Sequence, residues 1–233
     1  MSNFDLLKKL IKIESISPND NGCFDVIKQQ FEGLDFSFEE TSYKNISNLV
    51  ITNGNSKNKT FCFLGHTDVV PPGPESEWTV PPFSGEIIDN KIYGRGAADM
   101  KGGVACFISA LKEFLSEYKD PSFNIMVLLN SNEEGKLENG KVDRVINEMI
   151  DKEKFIDFCL IGEPSSSKKV GDVIRIGRRG SLSGNLKVYG IQGHVAYPKQ
   201  ALNPILGMGK TLEELKIWNG IVVMKILNQQ VFR

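Results

Sequence analysis

The sequence predicts an α/β fold in which helices sandwich a mixed sheet, and two observations carry that prediction. Segments with helical periodicity alternate along the chain with short apolar or β-branched runs, the order that is typical of α/β domains. Acidic or imidazole side chains also stand at or just beyond several of these apolar runs. Because ligands bind at the carboxyl ends of strands in open α/β sheets, we expect these side chains to form a site.

The individual elements follow from the periodicity. Helical patterns, the first of them amphipathic, predict helices over residues 3–13, 22–32, 101–118 and 141–150. Apolar and β-branched runs predict strands near residues 47–52, 60–65, 123–129 and 157–162. Beyond a Ser- and Lys-rich linker, the patterns predict strands over residues 170–176 and 181–190 and a helix over 204–215. The change of pattern after residue 163 coincides with the start of this linker.

Composition indicates a globular protein. The 233 residues are 40% hydrophobic and 24% charged, and the formal net charge is −1, which is ordinary for a folded domain. This balance argues against nucleic acid as a partner and against charge-driven membrane attachment, and no apolar run reaches the length of a membrane span. The N-terminus has the pattern of an amphipathic helix rather than that of a signal peptide.

The cysteines form no C-x-x-C pair. Cys62, Cys106 and Cys159 stand in apolar runs, where a small buried thiol is the expected state. Thiols without a disulfide framework fit a reducing compartment, so we expect a cytoplasmic protein.

The most informative motif is a His-x-Asp at the end of an apolar run, in the stretch FCFLGHTDVVPPG. Imidazole is a good ligand for zinc-like cations. Asp68 lies two residues after His66, on the same side of an extended chain, where it can accept a hydrogen bond from the other ring nitrogen and fix the tautomer. The alternative is a structural histidine at a strand end.

Three acidic motifs accompany this histidine. Asp99 lies in a Gly-rich turn before a helical run, where it can bridge cations or cap the helix. Glu133 and Glu134 are adjacent, and such a pair repels itself unless a cation or a shared proton compensates. They could also be two solvated acids in a loop. Glu163 ends an apolar strand before a proline, and by itself it would be an ordinary exposed acid.

Together, one histidine and several carboxylates suit a pair of zinc-like divalent ions. Two such ions about 3.5–4 Å apart polarise a carbonyl and lower the pKa of a bridging water. The stretches GHTDVVPPG, GRGAADMKG, EEG and GEPSS, followed by RRGSL and GIQGHVAYP, resemble the M20 family of co-catalytic metallohydrolases over residues 1–216. The last two stretches resemble its desuccinylase branch, which hydrolyses N-succinyl-LL-2,6-diaminopimelate to succinate and LL-2,6-diaminopimelate.

The resemblance implies a set of metal ligands. His66 and Glu163 would bind one divalent ion, zinc or cobalt, Glu134 would bind a second, and Asp99 would bridge the two. Asp68 would orient His66.

It also implies residues that act on the small-molecule substrate. Glu133 would be the general base, which takes a proton from the attacking water and delivers it to the leaving amine. His194 would reach the active site of a partner subunit in a homodimer and stabilise the oxyanion. Arg178 would bind a substrate carboxylate, although Arg178 and Arg179 could also be a solvated basic pair. One departure is Asn132, where relatives often have an aspartate.

The resemblance further implies how the chain is divided. Residues 1–167 would form a Zn-peptidase-like catalytic domain that lacks its C-terminal part, and residues 168–216 would start a small α+β lid and dimerisation domain. Residues 217–233 resemble nothing in the family. With suitable synonymous codons, a shifted reading frame turns this tail into EWDSGNEDFEPTSFP, which is similar to the family's next segment. We therefore expect a frameshift near residue 216 and impaired activity of the 233-residue chain; the alternative is a genuine, divergent C-terminus.

Two other functions remain open at this level. Another deacylase of the family, such as an acetylornithine deacetylase or an aminoacylase, would share the metal-binding motifs. A non-catalytic fragment or interaction module would retain the fold without turnover.

Overall fold

The structure is a computed structural model, and it describes residues 3–54, 59–135, 142–152, 154–177 and 185–217. The chain divides into two compact units, Met1–Arg175 and Ile176–Arg233. The predicted domain boundary at residue 168 stays a prediction. None of the helices in the described ranges is long and apolar enough to cross a membrane.

The first unit alternates helices and strands, as the periodicity predicts. Its helices are α1 (Asn3–Ile11), α2 (Cys23–Lys28, continued by a 3₁₀ turn over Gln29–Phe31), α3 (Lys101–Glu117) and α4 (Val142–Asp151). The strands within the described residues are β1 (Ser37–Tyr43), β2 (Ile46–Thr52), β3 (Thr60–His66), β4 (Glu86–Ile88), β5 (Lys91–Tyr93), β6 (Asn124–Asn130) and β7 (Phe158–Ile161). The second unit contains a 3₁₀ turn, Pro198–Gln200, and helix α5, Pro204–Ile217.

Five strands form the main sheet in the order β1-β2-β6-β3-β7. β3 runs parallel to both β6 and β7, whereas β2 is antiparallel to β6 and to β1. The sheet is therefore mixed, as predicted. Its three parallel strands end at the same edge, which places the segments that follow them side by side.

Helices cover both faces of this sheet. β6 lies in the middle and is buried at every position. Its Val127 joins Phe63 of β3 in the larger core, which packs under α1, α2 and α3. Met126 and Cys62 point to the opposite face and contact Val145 of α4. Because side chains alternate across a strand, both faces are apolar, and the predicted sandwich is confirmed.

Periodicity missed three strands. β1 has the polar sequence SFEETSY and is mostly exposed at the sheet edge, so it carries no run of apolar residues. β4 and β5 form a separate two-stranded hairpin whose strands have three residues each. Its connecting Asp89 and Asn90 both have positive φ, 49° and 60°, as in a type I′ turn.

Two predictions were wrong. Residues 170–176 form no strand, and Val170, Ile174 and Ile176 are exposed. In the predicted strand over 181–190, residues 185–190 are not a strand and the rest lie outside the described residues. A strand needs a hydrogen-bonding neighbour, which alternation in one segment cannot supply.

Of the cysteines that were expected to be buried, only Cys62 is. Cys106 and Cys159 are exposed. Cys159 lies on β7, an edge strand of the main sheet within the described residues, and an edge strand has a neighbour on one side only.

Lys101 links two helices from the interior. The side chain is almost fully buried. Its Nζ donates hydrogen bonds of 2.8 Å to the carbonyl of Leu10, in the last turn of α1, and to that of Ile13, two residues beyond the helix. The carbonyls of a helix C-terminus lack intrahelical donors and favour a cation. Lys101 therefore joins the start of α3 to the end of α1.

Replacing Lys101 by methionine keeps most of the side-chain volume and removes both charge-assisted hydrogen bonds. We expect the free energy of unfolding to fall by about 2 kcal/mol, measured by urea denaturation. Lys112→Met, at an exposed position of the same helix, should change it by less than about 0.5 kcal/mol. Equal effects of the two substitutions would contradict the role given to Lys101.

Candidate metal centre

The carboxyl ends of the parallel strands bring the candidate ligands of the first unit together. His66 is the last residue of β3, Glu133 and Glu134 follow β6, and Glu163 follows β7. Asp99 precedes the first turn of α3. Sheet order explains why the three glutamates lie near His66, because β6 and β7 flank β3 on its two sides.

His66 stands at the centre of the cluster. Its Nε2 lies 3.2 Å from Asp99 Oδ1 and 3.7 Å from Glu163 Oε1. Its Nδ1 lies 2.9 Å from the backbone carbonyl of Asp68 and 3.5 Å from Oδ1 of the same residue. The carbonyl accepts a hydrogen bond from Nδ1–H, which leaves Nε2 of the neutral ring as the ligand atom that faces the acids.

Two donor sets share this imidazole. One consists of His66, Asp99 and Glu163, and the other of His66, Glu133 and Glu134; within each set the ligand atoms lie within 4.8 Å of one another. Imidazole with carboxylates is a donor set for zinc-like cations. The residues present therefore fit a divalent ion, whose charge would offset the crowding of the acids.

The charges of the site shift its pKa values. Burial of His66 lowers the pKa of the imidazole, but hydrogen bonding and charge from Asp68, together with the charge of Glu163, raise it to about 9. Burial and the charge of Asp99 raise the pKa of Glu134. Neighbouring negative charge raises the pKa of His66 and adds to the effect of burial on Glu134. A bound cation would relieve this part of both shifts.

Asp68 binds the segment that carries Glu133 and Glu134 as well as His66. Its side chain is fully buried. Oδ1 accepts the backbone N–H of Glu133 at 3.0 Å, and Oδ2 accepts that of Glu134 at 3.1 Å. The Ser17 hydroxyl also donates to Oδ2. Burial raises the pKa of Asp68, but hydrogen bonds from His66 and Ser17 outweigh it, so the pKa is lowered and the group stays ionised.

Glycines allow α3 to approach the segment that carries Glu163. A Cβ at Gly103 would lie 2.4 Å from the carbonyl oxygen of Gly162, and a Cβ at Gly162 would lie 2.4 Å from the ring of Phe63. Neither position has room for a larger residue. Met100, at the N-terminus of α3, accepts the backbone N–H of His66 on its sulfur at 3.3 Å, which ties this helix to the end of β3.

Buried polar residues form hydrogen bonds next to the segment that carries Glu133 and Glu134. Asn130 donates to the Asn48 side chain at 2.6 Å, and its own Oδ1 accepts the backbone N–H of Asn132 at 2.7 Å. A Cβ at Gly135 would lie 1.8 Å from Asn132 Oδ1. Sequence reasoning treated Asn132 only as a departure from the family and overlooked Ser17. The burial of Asn132 and the hydrogen bond from Ser17 to Asp68 depend on tertiary contacts, so no local pattern could have found them.

The remaining two candidates are His194 and Arg178. His194 is exposed in the second unit, where its Nδ1 accepts the backbone N–H of Ala196 at 3.1 Å. Arg178 lies outside the described residues. The assignments of these two residues stay predictions.

The raised pKa of His66 predicts how the metal-free protein responds to pH. Because its folded-state pKa of about 9 exceeds the ordinary value of 6.5, protonated His66 stabilises the fold fully below pH 6.5. That contribution is lost as the pH rises through 9. We expect the free energy of unfolding to fall by about 3 kcal/mol between pH 6 and pH 9.5, measured by urea denaturation with a chelator present. In His66→Gln this part of the slope should vanish; an unchanged slope would contradict the assignment.

The mixed α/β sheet and the cluster at its carboxyl edge define a domain with a candidate cation site of the kind that metallohydrolases use. The chain belongs to peptidase family M20/M25/M40, whose family model matches residues 62–223. The resemblance predicted from the motifs is thereby confirmed. The family is metal-dependent, in agreement with the donor sets around His66.

Within this family, the chain is similar to curated proteins of one name. The chain is 45% identical over 218 residues to the succinyl-diaminopimelate desuccinylase of Methylococcus capsulatus, which covers 93% of this chain and 57% of that protein. It is 48% identical over 200 residues to the protein of the same name from Psychromonas ingrahamii, covering 86% of this chain and 52% of the relative. The chain therefore spans about half the length of these relatives.

Solved structures share the fold. An M20 family metallo-carboxypeptidase from Sulfolobus solfataricus, Sso-CP2, matches with a TM-score of 0.59 at 24% identity, covering 70% of this chain and 37% of that one. Human carnosine dipeptidase 1 matches with a TM-score of 0.58 at 24% identity, covering 68% and 37%. These similarities support the predicted fold class.

Proposed function

We propose that the protein acts as a metal-dependent amide hydrolase on N-succinyl-LL-2,6-diaminopimelate and releases succinate and LL-2,6-diaminopimelate. The observation that carries the hydrolase assignment is His66, whose imidazole is shared by two carboxylate sets at the carboxyl edge of the sheet. The names of the curated relatives support the choice of substrate. The reaction would belong to lysine and diaminopimelate biosynthesis in the cytoplasm.

The two donor sets support a pair of cations, zinc or cobalt. His66 and Glu163 would hold the first, Glu134 would hold the second, and Asp99 would bridge them. Within one set, Asp99 and Glu163 both approach His66 Nε2, and within the other, Glu134 lies beside the same ring. When bound, the cations would polarise the amide carbonyl and lower the pKa of the attacking water.

Glu133 is the proposed general base. Its neighbour Glu134 is a proposed ligand, and Asp68 accepts hydrogen bonds from the backbone N–H groups of both residues. These bonds hold the backbone of the two glutamates beside His66. Glu133 would take a proton from the water whose oxygen attacks the succinyl carbonyl carbon. When the C–N bond breaks, the same carboxyl would deliver that proton to the departing nitrogen. The products are a carboxylate and an amine.

Two residues outside this cluster complete the proposal. His194 would stabilise the oxyanion in the active site of a partner subunit, which requires a homodimer. Arg178 would bind a substrate carboxylate through its two-pronged guanidinium.

A substrate panel tests the reaction. Because the chain spans about half of its relatives, residues 1–216 should be assayed both in the 233-residue chain and joined to the C-terminal part of the Methylococcus capsulatus relative. We expect the joined protein to hydrolyse the N-succinyl substrate and to discriminate against N-acetylornithine and simple N-acyl amino acids. Preference for an acetylated substrate would favour another deacylase of the family.

A matched variant of the joined protein separates catalysis from binding. Glu133→Gln should lower kcat by about 100-fold or more while zinc binding is kept. Turnover that persists at the original kcat would remove Glu133 from the role of base.

A further inference from the structure

Two cysteines face each other across the last pair of strands in the main sheet. Cys62 of β3 and Cys159 of β7 are direct partners in the parallel register. Partners in such a register project to the same face of the sheet. Hydrogen bonding between the two thiols shifts the pKa of each, so the two side chains lie close enough to interact.

The two thiols differ in environment. Cys62 is fully buried among the apolar side chains under α4. Cys159 is exposed because β7 is an edge strand of this sheet within the described residues. One member of the pair is therefore open to small solutes, and the other is reached only through its partner.

Hydrogen bonding and burial shift the pKa values of the two thiols in opposite directions. The hydrogen bond to Cys159, reinforced by burial, raises the pKa of Cys62 well above its usual range. The same hydrogen bond lowers the pKa of Cys159 to about 7. The thiolate is the nucleophile in cysteine chemistry, and Cys159 is also the exposed member of the pair. Cys159 is therefore the attacking group, and the buried Cys62 is placed to resolve its product.

The backbone spacing permits a disulfide. Neighbouring strands lie about 4.7–4.9 Å apart, within the Cα–Cα range of roughly 4.4–6.8 Å that disulfides occupy. Since β7 is paired on one side only within the described residues, it can adjust locally without breaking a second ladder there.

We propose that Cys62 and Cys159 form a reversible oxidation site that closes to an intramolecular disulfide when a peroxide attacks. The Cys159 thiolate attacks one peroxide oxygen, the O–O bond breaks, and the products are a sulfenic acid and hydroxide, which becomes water on protonation. The Cys62 sulfur then attacks the Cys159 sulfur, the S–O bond breaks, and the departing hydroxide leaves as water with the Cys62 proton. Two thiols are oxidised and one hydrogen peroxide is reduced to two waters.

The position of the pair gives the disulfide a structural consequence. Cys62 and Cys159 each lie four residues before a residue of the metal cluster, His66 and Glu163 respectively. A covalent bond between β3 and β7 would fix the register of the strands that carry these two side chains. A dithiol reductant would release it by thiol–disulfide exchange.

Peptide mapping of the 233-residue chain tests the site. The reduced protein is treated with hydrogen peroxide, remaining thiols are alkylated, and the digest is analysed without reductant. We expect the peptides containing Cys62 and Cys159 to be joined, with loss of two hydrogens, and to separate after dithiothreitol. Cys106→Ser, which removes the other exposed cysteine, should give the same cross-link. In Cys62→Ser, Cys159 should proceed to sulfinic acid.

Thermal unfolding provides a second readout. Oxidation should raise the Tm by about 5 °C or more, because the cross-link closes a long loop in the unfolded chain, and Cys159→Ser should show no such shift. Cys159 oxidised to sulfinic acid in the unmodified protein while Cys62 stays reduced would overturn the proposal. So would a disulfide that joins Cys106 to another chain in place of the expected pair.

Discussion

Replacing His66 by alanine is expected to weaken zinc binding by more than about 100-fold. Both donor sets use the same imidazole, so the substitution removes one ligand from each and leaves only carboxylates. Loss of an outer partner of a ligand already costs about 10–100-fold in metal affinity, and loss of the ligand itself should cost more. Titration calorimetry on the metal-free chain at pH 7 measures the difference.

The chain supplies its own matched control for this experiment. It has two histidines, and the second, His194, is exposed in the second unit. His194→Ala should bind zinc with the affinity of the unmodified chain, within about twofold. If His194→Ala weakens binding as much as His66→Ala does, or if neither does, the cluster at the carboxyl edge is not the metal site.

Replacing Asp68 by alanine is expected to lower the free energy of unfolding by about 4 kcal/mol. The substitution removes the acceptor of the backbone N–H groups of Glu133 and Glu134. It also removes one of the two acceptors of the Ser17 hydroxyl, which donates to the Val69 carbonyl as well. Each partly buried donor left without an acceptor costs about 1–3 kcal/mol, so the two backbone N–H groups account for most of the expected loss. Urea denaturation of the metal-free protein measures this effect apart from any metal.

The same variant separates two roles of Asp68. If the carboxylate also positions the ligands, zinc affinity should fall by about 10–100-fold in the protein that remains folded. Asp120→Ala, at an exposed position between α3 and β6, should leave both quantities unchanged within error. If Asp68→Ala lowers the free energy of unfolding by less than about 1 kcal/mol, the segment with Glu133 and Glu134 keeps its position without the hydrogen bonds to Asp68.

These two substitutions differ in how easily the sequence reveals their importance. His66 is conspicuous because an imidazole and an aspartate follow an apolar run, a local pattern with a direct chemical meaning. The same pattern predicts a role for Asp68, but only as a residue that orients His66. Its hydrogen bonds to Glu133 and Glu134 span more than sixty positions, and no spacing rule predicts such contacts.

The sequence by itself determined the α/β class, most elements of the first unit and the identity of the acids around His66. It could do so because side-chain periodicity is local and because the residue types that bind zinc-like cations are few. It failed on β1, whose polar residues form a strand beside β2, and on residues 170–176, whose alternating residues form none. In both cases the neighbouring segment, and not the segment itself, decides the outcome.

Only the tertiary structure decided which residues support the cluster and which thiols meet. Ser17, Lys101 and Met100 act through distant backbone and side-chain atoms. Cys62 was expected to be a buried thiol, and it is one, but its pairing with Cys159 depends on the register of β3 against β7. Register and sheet order arise when separate segments pack together, so residues that are far apart in the sequence acquire a common chemistry only in the folded chain.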